Sequence, residues 1–219
     1  MNKHSQIVTI IAKESFHHLN KTNGILMKRM ITKQFFLFSL LLLFSANVFA
    51  QSKQGQSKRI LETFLDAQNK PQYPSAAVYS PSGEWTFDGA LLTPNEKNDI
   101  RPMSPRLLGP RALNTENGYI SSNFEIKGLQ KIKVGFIGFK ADEATFAIEV
   151  MVSKDDGKNW ITVGKRIGDP TKQAETIATF KVNAKKSDAY KIKVMNASSP
   201  KANRLSRINI TEIDIEYAD

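Results

Sequence analysis

Beyond about residue 57 the chain runs in short segments of alternating apolar and polar residues, divided by Gly, Asn, Asp and Pro. A period of two puts successive side chains on opposite faces of an extended strand, so the pattern predicts β-structure. Across residues 131–139, Ile132, Val134 and Phe136 fall on one face and Lys131, Lys133 and Gly135 on the other, before Ile137 and Phe139 shift the phase. That shift predicts a bulge near Gly135 or Gly138. Residues 145–153 repeat the alternation with a mixed second face, which predicts a central strand. Tyr190, Ile192 and Val194 alternate with lysines, and Ile208, Ile210, Ile213 and Ile215 dominate the last segment. Shorter strands are predicted at 60–65, 85–92, 119–122, 160–163 and 177–182. No segment carries a sustained helical stripe.

Nine or ten such strands in one domain predict an all-β fold, a single antiparallel β-sandwich arranged as a jelly roll, with an up-and-down barrel as the alternative. Residues 69–83 and 93–109, rich in Pro, read as long irregular loops.

The N-terminal part has a different pattern. Lys28, Arg29 and Lys33 precede an apolar run of about ten residues, half the length a membrane-spanning helix needs. Val48 and Ala50 then supply the small residues of a cleavage site, so 27–50 reads as a signal peptide. The expected division is an over-extended, disordered start at 1–26, the signal at 27–50, a flexible tail at 51–57 and the sandwich at 58–219. The expected destination is the periplasm or the extracellular space, with no membrane attachment after cleavage.

Cleavage changes the chemistry. The first 50 residues hold six of the 31 basic and one of the 21 acidic residues, which takes the remainder from a net charge of +10 to +5. They also hold all three histidines, and the chain has no cysteine. Ser-His-Asp and Cys-His catalysis and Cys/His zinc sites are thereby excluded from the remainder. The alternating lysines read as a solvated sheet face, and nothing gathers them into the aromatic-lined stripe that nucleic acid needs.

Several local patterns in order resemble a module of exported Bacteroidetes-type proteins, similar to the choice-of-anchor J and MAM-like jelly rolls. These are Glu62-Thr63-Phe64, Trp85 with Gly89 and Ala90, Gly118 to Ser122, Gly128 to Val134, and the closing run from Tyr190 through Arg207 to Ile215. The resemblance implies a galactose-binding-like or MAM-like jelly roll that partners enzymes or stands alone, without catalysis. It also implies a structural Ca²⁺ held by Glu62 and Glu212, with Thr211-Glu212 replacing the paired carboxylates of relatives.

Ser153, Asp155, Gly157 and Trp160 resemble an Asp-box, S-x-D-x-G-x-x-W. Its Asp bonds the N–H groups of its own turn, its Gly takes positive φ, and its Trp packs beneath the hairpin. A single copy closes a hairpin and argues against a propeller. Of the aromatic residues, Trp85 and Tyr119 read as core, while Tyr73 and Tyr79 are the candidate ligand-binding residues. Asp214 and Glu216, two apart on one strand, point to the same face and have a spacing that could meet the need of a carboxylate-dependent polysaccharide hydrolase. The leading expectation is a secreted, non-enzymatic module whose partner is a glycan or a protein, with that hydrolase or a purely structural domain as alternatives.

Overall fold

The computed structural model describes residues 57–94, 97–109, 117–201 and 205–218. The segments read as over-extended start and signal peptide, and the tail as far as residue 56, lie outside the described residues. Among these, the strands in chain order are β1 (Ser57–Glu62), β2 (Ala76–Ser80), β3 (Gly83–Asp88), β4 (Ala90–Leu91), β5 (Arg106–Leu107), β6 (Tyr119–Ser122), β7 (Ile126–Lys127) and β8 (Leu129–Gly138). They continue as β9 (Ala144–Thr145), β10 (Ala147–Ser153), β11 (Ile161–Ile167), β12 (Thr176–Lys181), β13 (Ala189–Asn196), β14 (Ser199–Pro200) and β15 (Ile208–Ala218).

The first sheet is ordered β12-β8-β15-β5-β4, with β1 also paired to β15. The second is ordered β11-β10-β13-β6-β3-β2, with β7 also on β13, and β14 and β9 form a small ribbon. From β8 onward the chain passes back and forth between the sheets: β8 in the first, β10 and β11 in the second, β12 in the first, β13 in the second, β15 in the first. Crossing between sheets in this way makes an antiparallel jelly-roll sandwich. A closed barrel is ruled out because β11, β12, β2 and β4 end their sheets as edges.

The period-two pattern places the core. Ile132, Val134 and Phe136 of β8, Ile213 and Ile215 of β15, Ile148, Val150 and Val152 of β10, and Ile192 and Val194 of β13 are all buried between the sheets. At one end Phe64, Trp85 and Phe87 form an edge-to-face cluster, with ring centroids 5.5 and 5.6 Å from Phe64. Trp85 is fully buried, and its indole N–H donates to Ser82 Oγ at 3.0 Å. Burying a side chain of this size contributes about 3 kcal/mol or more.

Three expectations change. The bulge lies on the partner strand: the β8–β15 register slips at Thr211, opposite Phe136 and Gly135. A Cβ on Gly135 would sit 2.2 Å from Thr211 Oγ1, so the missing side chain makes room for the extra residue. Residues 69–83 are not one loop, since they contain β2, paired to β3 from Ala76 to Ser80. Likewise residues 93–109 contain β5. Both strands are short and owe their conformation to a neighbour in space, which local alternation cannot register.

Candidate functional site

The site begins at the hairpin turn between β10 and β11. Asp155 Oδ1 accepts from Ser153 Oγ at 2.7 Å and from the Asn159 N–H at 2.9 Å, and Asp155 Oδ2 accepts from Asn159 Nδ2 at 2.5 Å. Ser153 Oγ accepts the Gly157 N–H at 2.9 Å. The Asn159 N–H, the Asn159 amide and the Ser153 hydroxyl together hold the Asp155 carboxyl down at about 2. Gly157 adopts φ 86°, and a Cβ there would touch the Trp160 ring at 3.4 Å.

The turn delivers Trp160 to the outer face of the second sheet. Antiparallel register sets side chains of this face in rows. One row runs Thr162, Met151, Lys193, Ser121 and Thr86 from β11 to β3. The next runs Lys165, Glu149, Met195, Tyr119 and Asp88. Lys193 stands between two rings, its Nζ 4.1 Å from the centroid of Trp160 and 4.4 Å from that of Tyr119. All three side chains are half-buried. Burial pulls the Lys193 ammonium below the ordinary lysine value, opposed by the charge of Asp88.

A polar chain extends this face toward the edge strand β2. Tyr79 lies opposite Glu84 and is 61% exposed. Glu84 accepts from Asn123 Nδ2 at 2.6 Å, and Thr86 Oγ1 donates to Asn123 Oδ1 at 2.8 Å. Hydrogen bonding to Glu84 pushes the Tyr79 phenol up, and the same bond, with Asn123 second, lowers the Glu84 carboxyl. Tyr79 therefore shares a face with Trp160 and Lys193. Tyr73 does not join it: it lies beside Arg207, ahead of β15 in the other sheet, where it adds to the larger effect of Asp142 in raising the Arg207 guanidinium. Tyr119, read as core, points outward, because Ile120 next to it takes the inward position.

No family model matches this chain. No curated protein matches it. Solved structures with a similar chain path include the CBM22-1 xylan-binding domain from Paenibacillus barcinonensis Xyn10C, with 12% identity and TM-score 0.46 over 77% of this chain and 98% of that one. The K1 cleaved adhesin domain of Lys-gingipain from Porphyromonas gingivalis W83 aligns with 11% identity and TM-score 0.40 over 74% and 99%. A carbohydrate-binding module, CBM28, specific for non-crystalline cellulose aligns with 11% identity and TM-score 0.40 over 65% and 94%. The identity of a ligand therefore rests on this chain's own side chains.

The carboxylates nominated from sequence are occupied elsewhere. Buried Glu62 accepts from the Phe64 N–H at 2.5 Å, from Ser80 Oγ at 2.5 Å and from Ser82 Oγ at 2.5 Å. Glu62 pairs with Ile213, an inward residue, which puts the neighbouring Glu212 on the other face. The structure thus does not assemble Glu62 and Glu212 into a cation site, and among the described residues no group of three or more Asp, Glu, His or Cys is placed to hold a metal. Burial would raise the Asp214 carboxyl, but Arg59 at 2.5 Å and Lys133 at 3.3 Å outweigh it, and the net shift is downward. Glu216 is lowered chiefly by its ion pair with Lys131. A glycosidase keeps one carboxyl protonated near neutrality, and neither of these is built for that.

Away from this face, an open groove of about 420 Å³ lies between residues 164–166 of β11 and 177–180 of β12. Phe180 lies beneath Gly164, and the lining offers neither a carboxylate nor an exposed ring.

Proposed function

We propose that this chain is an exported, non-enzymatic binding module that takes a glycan on the outer face of its second sheet. The observation that carries the reading is the clasp of Trp160 and Tyr119 about Lys193, set beside Thr86 and Asp88. A sugar offers apolar C–H faces and hydroxyl edges at once. Half-exposed rings supply area for the former at low entropic cost, and short hydroxyl and carboxylate side chains supply partners for the latter. Paired strands and, for Trp160, a hydrogen-bonded turn hold these groups in place, so little ordering is lost on binding. Export to the periplasm or beyond, expected from residues 27–50, would bring the face to polysaccharide. The cation-saturated Asp214 and Glu216 support binding over hydrolysis.

A glycan array followed by affinity gel electrophoresis tests the reading. The expected result is retardation by at least one polysaccharide, weakened about ten-fold or more by Trp160→Ala and by Tyr119→Ala with the fold intact by circular dichroism. An array without a hit, or a hit indifferent to both substitutions, overturns it. A protein partner is the second reading, favoured by the exposed Ile161, Ile167 and Ile177 on the edge strands β11 and β12.

A further inference from the structure

Charges on the two outer faces are balanced differently. On the first sheet each acidic residue of β15 at positions 214 and 216 meets a cation: Asp214 has Arg59 and Lys133, and Glu216 has Lys131. On the second sheet Lys191 meets Asp156 at 2.5 Å and Lys154 meets Asp188 at 2.9 Å. Lys193 differs from these two. Among the described residues no carboxylate lies within ion-pair distance of its ammonium, although it is more buried than Lys154. Asp88 is near enough to influence its charge but makes no ion pair with it. Lys165, two strands away and one row along, at a backbone separation of about 12 Å, also has no ion pair among the described residues. Glu149, between them, is engaged by Thr162 Oγ1.

A half-buried ammonium flanked by two rings has given up part of its hydration and received ring quadrupoles and the distant charge of Asp88 in return, with no direct hydrogen-bonded anion. A single strong acceptor arriving along the remaining open direction would restore what was lost. We propose, resting on the glycan reading above, that the sugar this face takes carries a carboxylate, as a uronate does, and that Lys193 is the residue that reads it. Trp160 and Tyr119 hold the ammonium in place and exclude water from its flanks, which strengthens a charge-assisted hydrogen bond. Asp88 accepts from a sugar hydroxyl and disfavours a second anion on the same ring. Lys165 offers a weaker, exposed contact farther along the chain of sugars. A carboxylate suits this better than a sulfate ester, because one lysine presents one point charge and is best repaid by the more basic oxygen.

The test uses the purified chain with polygalacturonate and alginate, each compared with its fully methyl-esterified form, which keeps the backbone and removes the charge. Dextran sulfate and neutral xylan complete the set. The expected result is binding to a free acid at least about ten-fold tighter than to its ester, weakening with added salt. Lys193→Met should abolish that preference, and Lys193→Arg should retain it. Equal affinity for acid and ester, with binding still lost in Trp160→Ala, overturns the uronate assignment and leaves the glycan reading standing. A preference for acid that survives Lys193→Met removes Lys193 from the role. Binding to dextran sulfate as tight as to the uronates overturns the choice of carboxylate. Absence of binding to every polymer in the set overturns the uronate assignment, whereas the glycan reading falls with a blank glycan array or with a hit indifferent to Trp160→Ala and Tyr119→Ala.

Discussion

The Nζ of Lys193 lies 4.1 Å from the centre of the Trp160 ring, joining the middle of one strand to the foot of a hairpin turn. The turn's own hydrogen bonds aim the ring, and the ring in turn shields the cation. Replacing Trp160 with Ala should therefore let the Lys193 ammonium titrate closer to an ordinary lysine, upward from its depressed position. Carbon-detected NMR of the lysine ε-methylene reads this directly.

The two tryptophans have opposite environments, since Trp85 is fully buried and Trp160 half-exposed. Ligand binding on the outer face should change the emission of Trp160 alone. The same titration on Trp160→Phe should show no change, whereas a persisting signal would place the ligand near Trp85 instead.

Glu62 acts as a staple between β1 and the β2–β3 turn, accepting from Phe64, Ser80 and Ser82. Glu62→Ala leaves those donors without their acceptor in a buried place. A loss of about 2–4 kcal/mol in urea unfolding is expected, with glycan binding otherwise unchanged.

Gly135 sits opposite the bulge, where a Cβ would come within 2.2 Å of Thr211 Oγ1 and 2.4 Å of Glu175 Oε1. Gly135→Ala should cost about 1–3 kcal/mol by overpacking. Combining it with Thr211→Ala should recover part of the loss, and a double-mutant cycle in urea measures how much.

Acid should weaken the domain in a defined window. Asp155 is held at about 2 by its turn, and Asp169 at about 2, chiefly by the Thr171 hydroxyl and then by the N–H groups of Thr171 and Ala174, against an ordinary value of 3.8. Folded values below unfolded ones mean that the contribution is complete above the ordinary value and disappears as pH falls toward about 2. Asp214, also lowered, has the same sign, while Glu175, raised by burial and by Glu212, has the opposite one. Asp155→Asn and Asp169→Asn should each flatten the acid limb of a stability-against-pH curve and leave its slope above pH 5 untouched.

Much of the fold was legible because alternation and burial are the same information in a two-layer sandwich. Residues 190–194 alternate in sequence and alternate between buried and half-buried in β13, and Ile132, Val134 and Phe136 read as one face and pack as one. The hydrogen bonding of the Ser153–Trp160 turn was equally local, since every partner lies within a few residues. The site was less legible. Tyr119 and Trp85 looked alike as aromatic residues in short strands, yet one points out and the other in, and the phase of so short a run depends on which neighbour it joins. Pairing of β6 with both β13 and β3 decided that phase.

What the amino-acid order determined alone is therefore whatever acts over a few residues: strand periods, turn chemistry, the basic-apolar-small order of residues 27–50, and the absence of histidine and cysteine beyond residue 50. What only the tertiary structure decided is which residues from distant strands meet. It gathered Lys193, Tyr119, Trp160 and Asp88 on one face and left Tyr73 off it, and it saturated Asp214 and Glu216 with cations from β1 and β8. The reason is that antiparallel register couples side chains across a gap of about 5 Å between strands, whatever their separation along the chain.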